Sequence, residues 1–302
     1  MPQMPALALA AAPGRRAQTL ELAREIERRG FSGIYCASFS DSIGLCLSLA
    51  HVTTTIPFGT AIANIYTRNA FDMAHAAAYI HELSGGRFVL GLGVSHDPAN
   101  RRLGVSTGKP LSDMRDYVSR MRSVAEQSGP LPPIALAALR KKMTRMAGEI
   151  AEGAVWANAS LSHLASSLEA LPAGKKDDPS FFVGDMLPVC IDDNVSAAAD
   201  RNRRTMLGYV MLPNYRNYWK EAGYVEEMEA IEKALAAGER DRLPSLMTDR
   251  WLSDCTLGGS AGDVRAKLEE WFAAGMRTPI LVPSSTSGGQ AKAFEEIFAA
   301  FA

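Results

Sequence analysis

The sequence predicts a (β/α)8 TIM barrel, a closed barrel of eight parallel strands with helices between them. Three observations carry this. Short apolar runs alternate with helical patterns along the chain, the order helix, glycine, strand recurs near its two ends, and 302 residues suit one barrel. Hydrophobic residues make up 47% of the chain, enough for a core that buries roughly 75% of the unfolded surface at this length.

In chain order the candidate strands are 6–11, 33–37, 58–63, 88–94, 133–138, 154–157, 186–191 and 279–282. Between the first two, Leu20, Ala23, Ile26 and Glu27 set out the faces of a helix over 16–29, and Gly30 ends it as a left-handed cap. GFSGIY then turns into the second strand. The far end repeats the plan: Val264, Leu268, Trp271 and Phe272 line one helix face, Gly275 stops the helix, and TPILVP follows as strand. Residues 196–254 are helical throughout, which predicts a helical insertion before the last strand; in barrels such additions lie over the C-terminal face as a lid or substrate wall. KKDDPS is a polar turn, no low-complexity tract interrupts the rhythm, and residues 1–302 are expected to form one domain.

A net charge of −1, from 32 basic and 33 acidic side chains, gives no electrostatic reason to expect nucleic acid or an anionic membrane as partner. Cys36, Cys46, Cys190 and Cys255 are scattered among apolar residues and form no CxxC pair, as expected of reduced thiols in a cytoplasmic protein. The start, MPQMPALALAAAPGRR, has no basic residue before its apolar run and is broken by prolines, unlike a signal peptide. No run of 18 apolar residues occurs, so no spanning helix is expected.

The motifs narrow the chemistry. GLG at 91–93 lacks the third glycine of a dinucleotide loop, since position 96 is His, and no acid ends a second strand about 20 residues on. Its small residues suit a crowded strand approaching its neighbours and, compatibly, a backbone approaching a flat ligand. GGSAG at 258–262 resembles a nucleophile elbow, yet the last histidine is His163, ahead of it, so Ser260 is expected to cap the following helix. HELSG from His81 ends in Gly85 rather than His, and no metal site is expected.

His51, His75 and His81 fall in helical stretches, as interface or surface groups. His96 lies just past a strand end, where barrels place chemistry, although a solvated loop histidine is the plainer alternative. Glycosidase chemistry needs two converging carboxylates, and only Asp97 and Asp192 come near a strand end. ALRKKMTRMAGEIAEGA, from Ala138, opens a helix at a strand end with Arg140, Lys141 and Lys142. Its unpaired N–H groups suit a phosphate, while a solvated basic face is the plainer reading of Lys141 and Lys142.

Five stretches, in order, carry a resemblance: GTAIANIYTRNAFDMAHAAAYIHELSGGRFVLGLGVSH (59–96), PLSDMRDYV (110–118), PPIALAALRKKMTRMAGEIAEGAVWANAS (132–160), LGYVMLPNYRNYWKEAGY (207–224) and LGGSAGDVRAKLEEWFAAGMRTPILVP (257–283). With these the chain resembles the luciferase-like monooxygenase superfamily, in particular actinobacterial oxidoreductases that use the deazaflavin coenzyme F420. The resemblance implies coenzyme F420 as cofactor, with FMN the alternative, a small-molecule substrate, and a homodimer as an allowed assembly.

It also implies site residues. A bulged third strand with a non-proline cis peptide near Ala61 and Ile62 would back the deazaflavin ring, with Asn64 facing the cofactor. Val94, Ser95 and His96 would line the pocket, Ala138 and Leu139 would offer backbone N–H groups to the phosphate beside Arg140, and Asn158 would close the site from the sixth strand. One departure stands out. Relatives end strand two with an acid and histidine in a pattern like WxSDH, whereas Ser38 and Phe39 occupy those positions here, leaving Ser38 to meet the cofactor and His96 as the candidate acid/base. The implied activity is hydride transfer between deazaflavin and a small organic substrate. The alternatives are an FMN-dependent monooxygenase, or a flavin- or deazaflavin-binding protein with degenerate catalysis, which Ser38 and Phe39 motivate.

Overall fold

A computed structural model describes residues 3–37 and 41–302. Two compact units divide the chain: Met1–Trp156 with Glu169–Gly184, and Ala157–Leu168 with Asp185–Ala302.

The first unit alternates strand and helix. It holds β1 (Ala6–Leu9), α1 (Arg16–Arg28), β2 (Ile34–Cys36), α2 (Ser42–Val52), β3 (Phe58–Thr60) and β4 (Ala63–Asn64). Next come α3 (Ala70–Leu83), β5 (Phe88–Gly93), α4 (Asp97–Arg102), α5 (Pro110–Ser123), α6 (Ala125–Ser128), β6 (Ile134–Ala137), α7 (Lys141–Ile150) and β7 (Gly153–Ala157). Strands β1, β2, β3, β5, β6 and β7 lie in that order, and β4 also pairs with β5. The ladders are parallel, with Leu7 beside Ile34, Ile34 beside Phe58, Phe58 beside Phe88, and Leu90 beside Ile134.

Parallel strands covered by helices on one face and packed on the other are buried throughout, which is why they read as continuous apolar runs. Leu7, Phe58, Phe88 and Leu90 are fully buried. Helix α1 buries Thr19, Ala23 and Ile26, and Gly30, at φ +76°, turns the chain away as expected. The Glu27 carboxylate accepts the backbone N–H groups of Thr54, Thr55 and Ile56, tying α1 to the start of β3.

In the second unit a 3-10 turn (Leu161–His163) and α8 (Leu164–Leu168) precede β8 (Phe182–Ile191), whose first residues belong to the first unit. Then come α9 (Val195–Val210), α10 (Pro213–Glu221), α11 (Val225–Ala236), α12 (Leu243–Leu246), α13 (Asp249–Cys255), β9 (Leu257–Gly259), α14 (Ala261–Ala273), β10 (Thr278–Ser284) and α15 (Gln290–Ala300). β8 pairs with both β9 and β10. Ser260 caps α14 in a reciprocal box with Asp263, and Val264, Leu268 and Trp271 are its buried face.

Each expected strand overlaps a strand of the structure, but the details differ. The expected strand at 58–63 is broken into β3 and β4. β8 begins at Phe182, four residues before its expected start, because Gly184 and the buried Asp185 disguise it as a turn. β9, with the sequence LGG, also reads as a loop. Helices α9 to α13 therefore precede β9, with β10 still to follow, rather than lying directly before the last strand. All four cysteines are buried free thiols. Among the described residues no helix is long and apolar enough to cross a membrane.

Candidate functional site

The break between β3 and β4 organises the first unit's strand ends. Thr60 Oγ1 donates to Gly91 O at 2.6 Å, the Ala61 N–H donates to Cys36 O at 2.8 Å, and the Ala61–Ile62 peptide bond is cis, at the position the resemblance implied. The chain then rejoins β5, Ala63 beside Leu92 and Asn64 beside Gly93. GLG is what allows this crossing. A Cβ on Gly91 would stand 2.0 Å from Thr60 O, and one on Gly93 would stand 2.6 Å from Ile62 Cδ1 and 3.1 Å from Ala137 Cβ. The crowded-strand reading of these glycines is borne out.

From this crossing the Asn64 amide runs inward. Asn64 is 9% exposed; its Nδ2 donates to Asn100 Oδ1 at 2.9 Å, and its Oδ1 accepts the Tyr66 N–H at 3.1 Å. Asn100, on α4, in turn donates from Nδ2 to Val94 O at 2.9 Å. This chain of amides holds the segment that leaves β5. Val94, Ser95 and His96 follow, all half-buried, with Ser95 left-handed at φ +55° and His96 at the N-cap of α4. Burial pushes the His96 imidazole below its ordinary 6.5, and the adjacent Asp97 carboxylate offsets part of that shift.

The expected phosphate donors need one correction. The Ala138 N–H is spent on Val155 O at 2.9 Å, as part of the ladder from β6 to β7, and cannot serve a phosphate. Helix α7 starts three residues later than expected, at Lys141, with exposed Arg140 as an extended N-cap and half-buried Leu139 before it. The first N–H groups of any helix lack carbonyls to accept them, so the donors move from Ala138 towards Leu139 and the first turn of α7.

Sequence reading missed a clasp beside this region. Tyr66 Oη donates to Asp113 Oδ2 at 2.6 Å, and the same oxygen accepts the Gly108 N–H at 2.8 Å, joining the segment after β4 to the start of α5. Tyr66 and Asp113 lie 47 positions apart, and no local pattern pairs them.

Asn158 belongs to the second unit. It and Ser95 are the two non-glycine residues with positive φ among the described residues, and each follows a parallel strand at its C-terminal end. Asn158 is 2% exposed; its N–H donates to Met186 O at 3.0 Å, and its carbonyl accepts Trp219 Nε1 at 3.2 Å. The Ser160 N–H donates to Tyr218 Oη at 2.9 Å, so α10, within the helical insertion, grips the segment after β7. Beneath it Asp185 is fully buried, with Oδ1 accepting only a long 3.4 Å bond from Ala159 N. Burial pushes its carboxyl well above the usual carboxylate range. Ser160 Oγ and Asp185 Oδ2 find no hydrogen-bond partner in the protein, while the Asn158 side chain interacts with the Tyr209 hydroxyl.

Ser38 and Phe39 lie outside the described residues. Among the described residues no cluster of three metal-binding side chains occurs.

In α/β barrels the C-terminal strand ends are where chemistry is placed, and the half-buried His96 lies at one of them. Residues 4–278 match the family model of luciferase-like monooxygenases, and the chain belongs to that family. A 5,10-methylenetetrahydromethanopterin reductase of Methanolobus tindarius is 24% identical over 304 residues, covering 91% of this chain and 92% of the relative. A Mycobacterium tuberculosis protein named as a coenzyme F420-dependent oxidoreductase is also 24% identical, over 88% of this chain and 90% of its own length.

Among solved structures, the coenzyme F420-dependent tetrahydromethanopterin reductase of Methanopyrus kandleri superposes with a TM-score of 0.78 at 18% identity, covering 99% of this chain and 98% of that one. The oxygenating constituent of 3,6-diketocamphane monooxygenase of Pseudomonas putida, solved with FMN, gives 0.63 at 15% identity, covering 99% and 96%. These superpositions establish the expected (β/α)8 barrel as the fold. F420-dependent and FMN-binding enzymes both stand among the relatives of this chain.

Proposed function

We propose that this chain is a coenzyme F420-dependent oxidoreductase that transfers hydride between the deazaflavin and a small organic substrate. One observation carries the reading: Ile62 lies across Gly93 beside Ala137, and Ala137 leads within four residues to the basic, acid-free start of α7. An apolar wall and an anion site thus occupy one short stretch, as a flat ring bearing a phosphate requires. The residues present fit such a group.

Bound there, the deazaflavin supplies the hydride chemistry, and the protein supplies position and electrostatics. Ala61 and Ile62 form the wall, Asn64 braces it through Asn100, and Leu139 with Arg140 meets the phosphate. Ser38, lying outside the described residues, remains part of the proposed cofactor set by resemblance. His96 is neutral at pH 7 because burial disfavours its charged form, so its ring can accept a proton from a substrate hydroxyl or return one to a substrate oxygen. Val94 and Ser95 place that ring at the end of β5.

The FMN-dependent monooxygenase is the second reading, favoured by the fold shared with the FMN complex and by a phosphate site that serves either cofactor. Titrating the purified protein with both separates the two. Micromolar binding of F420 with weaker FMN binding supports the proposal, and the reverse order overturns it.

A further inference from the structure

The turn that leaves β7 is held from several directions within its own unit. Asn158 gives its N–H to Met186 O of β8 at 3.0 Å, Ala159 to Asp185 Oδ1 at 3.4 Å, and Ser160 to Tyr218 Oη of α10 at 2.9 Å. The Asn158 carbonyl accepts Trp219 Nε1 at 3.2 Å, and its side chain interacts with the Tyr209 hydroxyl. At φ +57° Asn158 stands in the left-handed region, which a non-glycine residue keeps only where its surroundings enforce it.

Among these holders Asp185 breaks the ordinary rule of a protein interior. Its side chain is fully buried, Oδ2 finds no hydrogen-bond partner in the protein, and the bond to Ala159 is long. Burial holds the carboxyl well above the usual carboxylate range, which favours its neutral form. A leucine would fill the same place with no polar group to desolvate. Where a chain breaks a local rule in this way, a functional demand is the usual reason, and the bond Asp185 does make goes to the turn.

The turn stands at the C-terminal end of a barrel strand, where such proteins meet their ligands. Asn158, Ala159 and Ser160 are themselves buried, whereas Ala157 before them and Leu161 after them are half-buried. A change in the turn would therefore be felt by a ligand through these two flanks.

We propose that Asp185 is a positioning residue which, by accepting the Ala159 N–H alongside the grip of Tyr218 and Trp219, sets how Ala157 and Leu161 are presented to a ligand. That ligand is the flavin-type cofactor of the reading above, on which this inference rests. The helical insertion thereby gains a task besides that of a lid, because α10 fixes the turn.

The test titrates purified wild type and variants with coenzyme F420 and with FMN, at a temperature where melting curves show each protein fully folded. Asp185→Leu fills the space but removes the acceptor, and should weaken binding of whichever cofactor the wild type takes by about tenfold. Asp185→Asn, a neutral isostere that keeps the acceptor, should restore binding to within about threefold of wild type. Tyr218→Phe keeps the ring and removes only the acceptor of the Ser160 N–H, so it tests the same turn even if Asp185→Leu does not fold. It should weaken binding by about threefold or more. Because both residues act through one turn, the double variant should bind no more than about twofold more weakly than Asp185→Leu alone. A merely structural role would lower melting temperatures and leave these dissociation constants in place. Wild-type binding by Asp185→Leu and Tyr218→Phe, equal losses in Asp185→Asn and Asp185→Leu, or losses that add in the double variant would each overturn the inference while the cofactor reading stands. If the wild type binds neither F420 nor FMN, the cofactor reading falls and takes the inference with it.

Discussion

Gly93 lacks a side chain at the point where Ile62 crosses it: a Cβ there would stand 2.6 Å from Ile62 Cδ1 and 2.7 Å from Ile62 Cγ1. The obstruction is a side chain, which can turn. Gly93→Ala should therefore fold, cost about 1 to 3 kcal/mol, and weaken cofactor binding by displacing the proposed ring wall. At Gly91 the obstruction is the Thr60 carbonyl, at 2.0 Å, and backbone in a ladder cannot yield. Gly91→Ala should cost clearly more than Gly93→Ala in urea denaturation, and equal costs would contradict this account of the crossing.

Asn100 joins Asn64 to the segment carrying His96. Asn100→Leu removes both amide bonds and strands the buried Asn64 Nδ2 and the half-buried Val94 O. A stability loss of about 2 to 4 kcal/mol is expected from chemical denaturation. Turnover should fall further than the folded fraction accounts for, because Ser95 and His96 lose their tether. Activity that simply tracks the folded fraction would deny Asn100 this positioning role.

His96 carries a pH signature. Its folded pKa lies below 6.5, so the unfolded chain takes up a proton first as pH falls, and stability declines on going below 6.5. If its neutral ring accepts a proton in the reaction, kcat/KM should show an acid limb centred below 6.5. His96→Asn should remove that limb and lower the rate by about 10²-fold or more. An unchanged rate with the limb intact would take His96 out of the chemistry.

Asp185 has the opposite sign. Its folded pKa is raised well above the ordinary 3.8, so above that value the unfolded chain ionises while the buried carboxyl stays protonated. Its contribution is full below 3.8 and drains away as pH rises towards the folded value. Asp185→Asn does not titrate. The stability of wild type minus variant should therefore fall with rising pH, by at most about 1.4 kcal/mol per unit within that window. Denaturation midpoints at pH 5 and pH 8 measure it, and a difference independent of pH would show that Asp185 ionises normally.

Much of the barrel was legible because its cues are local. Strands buried on both faces are continuous apolar runs, Gly30 and Gly275 stop helices with positive φ, and Ser260 caps α14 as expected of a serine before a helical run. Where a strand carries atypical residues, the cue fails. β8 opens with FVGD and β9 is LGG, and neither stretch carries the apolar run of an expected strand, although pairing with β8 holds β9 in register. The site was legible chiefly through resemblance, which implied the cis bond found at Ala61–Ile62. It also assigned the Ala138 N–H to a phosphate, a donor that the parallel register to β7 already uses.

By itself, then, the sequence determined the alternation of strand and helix, the helix stops and caps, and the candidate stretches at the strand ends. Tertiary structure decided which polar groups remain for chemistry. Hydrogen bonding pairs groups far apart in the chain, so only the folded register shows that Ala138 is spent on Val155, that Tyr66 is clasped by Asp113, and that Asp185 Oδ2 is left without a partner.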